Sequence, residues 1–246
     1  VKRLIPWLEQ DSPFPDPAEA LTEAEGAPGL LAAGADLTPR RLLDAYRRGI
    51  FPWFSPGQPV LWWSTHPRMV LPTAEFRLTR SLRKTLKRFR DTPGCEIRVD
   101  HQFDEVIQAC AQTARRGQSG TWIVKDIQHT YRQWHALGAV HSIETWIDGQ
   151  LAGGLYGVNL GRMFFGESMF ARQTDASKIA LAALICLCRE HDIALIDCQQ
   201  ETAHLASMGA RPWDRDAFEA HLRGVVHLDP PRDWSYHPVF WNHLLA

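Results

Sequence analysis

The chain has 246 residues, 45% hydrophobic and 22% charged, with a net charge of −1, the composition of a soluble globular protein with one large domain or two modest ones. No apolar run approaches the roughly 20 residues of a membrane span, and the start of the chain lacks the apolar stretch of a signal peptide. Five cysteines without C-x-x-C spacing and eleven histidines without H-x-x-x-H spacing predict no disulfide framework and no metal site, so a reducing cytoplasm is the expected setting.

Residues 12–29, rich in Pro, Ala and Glu, read as an irregular lead-in. Thr38-Pro39 then opens a helix, with Thr38 as N-cap and Pro39 at the first helical position, and Gly49 suits its end. Residues 49–64 follow as GIFPWFSPGQPVLWWS, where Pro52, Pro56 and Pro59 exclude an ordinary helix. Aromatics on a proline-stiffened loop lose little further entropy when fixed, so they form either a stacking platform for a planar ligand or a small satellite core. A first domain over residues 1–67 is expected, with its boundary near His66-Pro67 and a second domain over 68–246.

Residues 77–90 carry seven positive charges and no acid, leaving −8 for the rest of the chain (−1 minus 7). At helical spacing Arg80, Arg83, Lys84, Lys87 and Arg88 gather on one face, with Leu78, Leu82, Leu86 and Phe89 opposite. The spacing predicts a docked helix showing a basic stripe, either a solvated face or a contact for a phosphate backbone; the absence of acids favours the second. Helices are expected over 103–114 and 126–137, with a flexible turn at 117–120. A hairpin is expected from Ser142–Ile147 and Leu151–Val158 around Asp148-Gly149. The run Met163–Met169, a nearly all-apolar helix over Ser177–Cys188 and a short central strand over Ile193–Cys198 complete an α/β or α+β second domain.

Two places put acids among apolar residues. Asp197 and Gln199, two apart on a predicted strand, would share one face. They are either an acid that caps a neighbouring element beside an unrelated amide, or a carboxylate and a carboxamide sharing a cleft that handles an amine. Glu167, in Phe-Phe-Gly-Glu-Ser-Met-Phe, either pairs with an arginine such as Arg172 or holds a substrate cation.

The strings GIFPWFSPGQPVLWWS, GTWIV, GLYGV, FFGESMF and LIDCQ, in this order, resemble leucyl/phenylalanyl-tRNA–protein transferases over nearly the whole chain. The likeness weakens in the first 25 residues and after about Pro212. It implies an α+β chain: a small N-terminal domain, then a C-terminal acetyltransferase-like (GNAT-type) domain with a mixed sheet flanked by helices. It also implies transfer of Leu or Phe, and Met less well, from aminoacyl-tRNA to proteins beginning with Arg or Lys, which marks them for N-degron proteolysis. No cofactor is implied, since the donor is already an activated ester, and a cytoplasmic monomer is expected.

By this resemblance Asp197, Gln199 and Glu167 are the catalytic residues. Gln199 would hydrogen-bond the acceptor amine, Asp197 would orient or polarise Gln199 or itself take the proton, and Glu167 would hold the acceptor's positive end. Tyr46, Trp53, Trp122 and Tyr131 would embrace the 3′-terminal adenosine. Leu155, Phe164, Met169, Leu184 and Ile196 would line the amino-acid pocket. Arg80, Arg83, Lys84, Lys87 and Arg88 would contact the tRNA, while Trp62 and Trp63 would join the two domains. Two rivals remain: a CoA-dependent N-acetyltransferase, which would want glycines where Arg172–Ser177 has none, and a non-catalytic RNA-binding protein, which would leave the acids unexplained.

Overall fold

The computed structural model describes residues 4–113 and 121–246; the turn expected over 117–120 lies outside them. Local chemistry sets the first helix, α1 (Pro39–Arg47). The Thr38 hydroxyl accepts the Arg41 N–H at 3.3 Å, and Pro39 takes the first position. Gly49 adopts φ +72°, which glycine tolerates without steric cost, and the Gly49 and Ile50 N–H groups donate back to the carbonyls of Tyr46 and Ala45.

Two sheets divide the chain between Trp63 and Arg68. The smaller contains β1 (Trp7–Leu8), β2 (Leu30–Gly34), β3 (Phe51–Pro52) and β4 (Leu61–Trp63), in the spatial order β1-β2-β4-β3. The aromatic block thus supplies two short strands and their connection. Trp62 is fully buried, its Nε1–H donating to the Gly34 carbonyl at 2.9 Å and its ring meeting Phe14 edge-on. The Trp63 Nε1–H donates to the Trp53 carbonyl at 2.6 Å. These two tryptophans brace the small sheet and the Trp53 loop, within an apolar core that also takes in residues of the larger sheet.

The larger sheet contains β5 (Arg68–Pro72), β6 (Cys95–Val99), β7 (Val140–Ile147), β8 (Gln150–Leu160), β9 (Met163–Ala171), β10 (Leu195–Gln199) and β11 (Arg211–Trp213). Its order is β11-β5-β10-β9-β8-β7-β6. Asp148 and Gly149, both at positive φ, form the two-residue turn of the expected β7–β8 hairpin. In this sheet, among the described residues, only β9 and β10 pair in parallel, joined by the crossover helix α5 (Ala176–Glu190).

Helices α3 (Phe103–Gln112) and α4 (Lys125–Ala136) cover one face of this sheet together with α1, while α5 and α2 (Arg80–Asp91) cover the other. The chain continues through α6 (Ala203–Ser207), α7 (Arg215–Val225) and α8 (Asn242–Leu245). The result is a mixed α+β arrangement with a separate apolar core on each face of the large sheet. On α2, Leu82, Leu86 and Phe89 are buried, as the periodicity predicts; Leu78 lies just before the helix and is half-buried. Among the described residues, no helix is long and apolar enough to cross a membrane.

Candidate active site

A cleft of about 580 Å³ opens where β9 and β10 part. Their parallel pairing is confined to Phe164–Ile196 and Phe165–Asp197. Beyond that point each strand carries an extra residue. Against β8, Tyr156 faces Ser168 and Gly157 faces Gly166, so Glu167 is unpaired. Against β5, Asp197 faces Val70 and Gln199 faces the adjacent Met69, so Cys198 is the extra residue. Bulges bend strands and re-aim side chains, and here both occur at the edge of the opening.

The second bulge corrects the reading of Asp197 and Gln199. Val70 and Met69 belong to the two different cores, so a spacing of two no longer puts both side chains on one face. Asp197 is fully buried and takes Arg68 Nε and Nη2 on its two oxygens at 2.8 and 2.6 Å. It reaches Gln199 through the backbone, accepting the Gln199 N–H at 2.9 Å, not through the carboxamide. Gln199 does line the cleft, and its Nε2 has no hydrogen-bond partner among the described residues. Asp197 is absent from the cleft wall.

Glu167 faces the cleft, and Arg172 does not pair with it; Arg172 is bonded to Glu105 instead. Tyr46 donates its hydroxyl to Glu167 Oε1 at 2.6 Å, the Tyr131 hydroxyl lies 2.5 Å from that of Tyr46, and it approaches Glu167 Oε2 at 3.4 Å. Burial pushes the Glu167 carboxyl up to about 8, with Asp197's charge adding, while the Tyr46 and Tyr131 hydrogen bonds and Arg68 oppose the rise. Burial likewise raises both tyrosines well above 10.

Of the four aromatic residues assigned to the adenosine, Trp53 and Trp122 line the cleft. Tyr46 and Tyr131 are buried with their rings against Trp134, Phe165 and Tyr156, so neither offers a free face for stacking. Their contribution is the pair of hydroxyls behind Glu167. In the apolar pocket Leu155, Met169, Leu184 and Ile196 line the wall, joined by Leu181 and Leu205. Phe164 lies behind the wall, against Trp234 and in the space that Gly157 leaves open.

The basic stripe sits on the exposed side of α2. Arg80, Lys84, Lys87 and Arg88 are exposed and Arg83 half-buried. None of the five has an acidic partner among the described residues. At the start of α5, Asp175 occupies the N-cap at φ +64° and pairs with Lys178. An acid there repels a pyrophosphate, which a CoA-binding helix terminus must attract. Among the described residues no cluster of His, Cys, Asp and Glu is arranged to hold a metal.

Sequence reasoning missed Arg68, Phe51, Leu181, Leu205 and Thr65. One signal was available for Arg68: an aspartate inside an apolar strand needs a cation. The others lie on separate elements, β3, α5, α6 and the segment after β4, and meet the cleft or Gln199 only in the folded chain.

The leucyl/phenylalanyl-tRNA protein transferase family profile matches residues 70–223, and the profile of that family's N-terminal domain matches residues 35–66. A leucyl/phenylalanyl-tRNA–protein transferase of Methylibium petroleiphilum is 65% identical over 239 residues, covering 97% of this chain and 90% of the relative. Those of Leptothrix cholodnii and Burkholderia pseudomallei are 61% identical over 244 residues and 60% over 233, covering 98% and 95% of this chain and 95% and 91% of the relatives.

Proposed function

This chain belongs to the leucyl/phenylalanyl-tRNA–protein transferase family, and from that premise we propose how its cleft moves leucine or phenylalanine from aminoacyl-tRNA to a protein. The observation that carries the reading is one cleft lined by an apolar wall, by Trp53 and Trp122, and by Gln199, whose buried Nε2 has no hydrogen-bond partner among the described residues.

The donor's side chain enters the wall formed by Leu155, Met169, Leu181, Leu184, Ile196 and Leu205. Such a pocket separates side chains differing by one methylene by only about 1–3 kcal/mol, so branching at the β-carbon is excluded by shape. Trp53 and Trp122 hold the terminal adenine, and base–aromatic stacking of about 1–3 kcal/mol per base is enough to place the ester. The acceptor's α-amine attacks the ester carbonyl, a C–N bond forms, the C–O bond to the ribose breaks, and the amine's proton ends on the departing ribose oxygen. An α-amine of pKa roughly 7.7–8.0 is already partly neutral, so placement supplies most of the acceleration.

Gln199 accepts a hydrogen bond from that amine through its carboxamide oxygen. Glu167, backed by Tyr46 and Tyr131, faces the acceptor's positive end; a cation arriving beside it favours its ionised form. The acceptors are proteins beginning with Arg or Lys, and the product is an N-degron. The tRNA backbone lies along Arg80, Arg83, Lys84, Lys87 and Arg88, contacts that position without reading sequence. The large sheet, with one parallel pair bridged by α5, supports an acetyltransferase-like second domain after a small N-terminal domain ending near Pro67, and we propose a cytoplasmic monomer.

The test is transfer of labelled leucine from Leu-tRNA to a peptide beginning with arginine. Wild type transfers, and Gln199→Ala loses most of the rate while still binding tRNA. No transfer by wild type would overturn the reading; an unimpaired Gln199→Ala would overturn the assignment of Gln199.

A further inference from the structure

The peptide group that presents Gln199 is held in a conformation that a glutamine does not adopt unaided. Gln199 has φ +54°, in the left-handed region that side chains other than glycine's avoid, directly after the Cys198 bulge. Such a conformation persists only where its surroundings over-determine it.

Two residues outside β10 do so. The Thr65 hydroxyl donates to the Gln199 carbonyl at 2.8 Å. The Gln199 N–H donates to Asp197 Oδ1, and that carboxylate is gripped at two points by Arg68. Arg68 is 2% exposed, and its guanidinium lies 4.8 Å from the ring centres of both Phe51 and Phe218. A buried ion pair is a weak source of stability, but a bidentate one fixes direction. The N–H and the C=O of Gln199 are therefore both tied, one through Asp197 and Arg68, the other by the segment that leads out of the small sheet.

We propose that Arg68 and Thr65 are positioning residues for the transfer reaction, pinning the bulged Gln199 peptide so that its carboxamide projects into the cleft. The proposal rests on the transfer reading above and on Gln199 meeting the acceptor amine. In it Asp197 touches no substrate. Its two oxygens are spent on Arg68 and on the Gln199 backbone, so it acts through the geometry of Gln199.

The experiment compares Thr65→Val, Thr65→Ser and Arg68→Lys with wild type in steady-state transfer of leucine to an arginine-initial peptide. A second readout needs no activity: the rate at which Cys198, the bulge residue, is labelled by a maleimide, followed by mass spectrometry of its peptide. Thr65→Val keeps the volume and removes the hydroxyl, and a melting curve matching wild type establishes that it folds. Its kcat should fall about 10- to 100-fold, as expected for a slight misplacement of a reacting group, with KM for both substrates within about two-fold of wild type. Thr65→Ser should restore both kcat and the wild-type rate of Cys198 labelling. Arg68→Lys keeps the charge, loses the two-point grip and should show the same loss in kcat.

Wild-type kcat in folded Thr65→Val, or a loss confined to KM, overturns the proposal. If wild type itself transfers nothing, the transfer reading fails, and the labelling still decides: faster labelling of Cys198 in Thr65→Val supports the pinned peptide, and an unchanged rate overturns it.

Discussion

Replacing Glu167 by Gln should change how the stability of this protein depends on pH. The carboxyl is raised from 4.5 to about 8, first by burial and then by Asp197. Between those values the folded state keeps a proton that the unfolded chain has lost. The contribution is therefore fully present below the unfolded value and disappears as pH rises through about 8. A gap of about 3.5 pH units corresponds to about 5 kcal/mol at ~1.4 kcal/mol per unit. Glu167 is only half-buried and lines the cleft, so solvent screening reduces the expected difference to ~2–3 kcal/mol. Tyr46 and Tyr131 lie well above 10 and do not titrate in this window. Glu167→Gln keeps the shape and the acceptor for the Tyr46 hydroxyl but cannot ionise. Urea titrations of both proteins at about pH 5 and about pH 9 should show the variant gaining ~2–3 kcal/mol on wild type between the two. Stability curves that run parallel across that range would refute the assignment of a raised, buried carboxyl.

Other perturbations test the remaining parts. Gly157→Ala places a Cβ against the Phe165 carbonyl and the Phe164 ring, and should cost at least about 1–3 kcal/mol in urea denaturation. Trp53→Ala should weaken use of the donor by about 1–3 kcal/mol, read as a rise in KM for aminoacyl-tRNA, with an unchanged melting curve. Trp62→Ala should do the reverse, losing about 3–5 kcal/mol of stability because its ring is fully buried. Five phosphate contacts along α2 should make log K for tRNA fall with log salt at a slope of about −4, and Arg83→Ala with Lys87→Ala should flatten it by about 2. A slope near zero in wild type would dismiss the stripe as a tRNA contact.

Much of this molecule is legible in the order of its residues. The capping pair Thr38-Pro39, the Asp148-Gly149 turn and the two faces of α2 follow from local chemistry, and the chain keeps them. The apolar wall came from the likeness to the family, and four of the five residues it implies line the cleft. Phe164 is the exception, fully buried behind the wall.

The polar residues were less readable. Counting by two along β10 puts Asp197 and Gln199 together, and one extra residue separates them. The family likeness implied Tyr46 and Tyr131 as stacking surfaces, whereas packing covers their rings and leaves only hydroxyls pointing at Glu167. The sequence by itself marked several of the helices, the β7–β8 hairpin, the apolar faces and the acids among apolar neighbours, while the aromatic block that read as a loop holds β3 and β4. Only the tertiary structure decided which partner each buried charge meets. The reason is physical: burial of apolar surface is additive along the chain, while the direction of a charged side chain depends on bulges, and on a cation, Arg68, that lies 129 residues away from Asp197 in sequence.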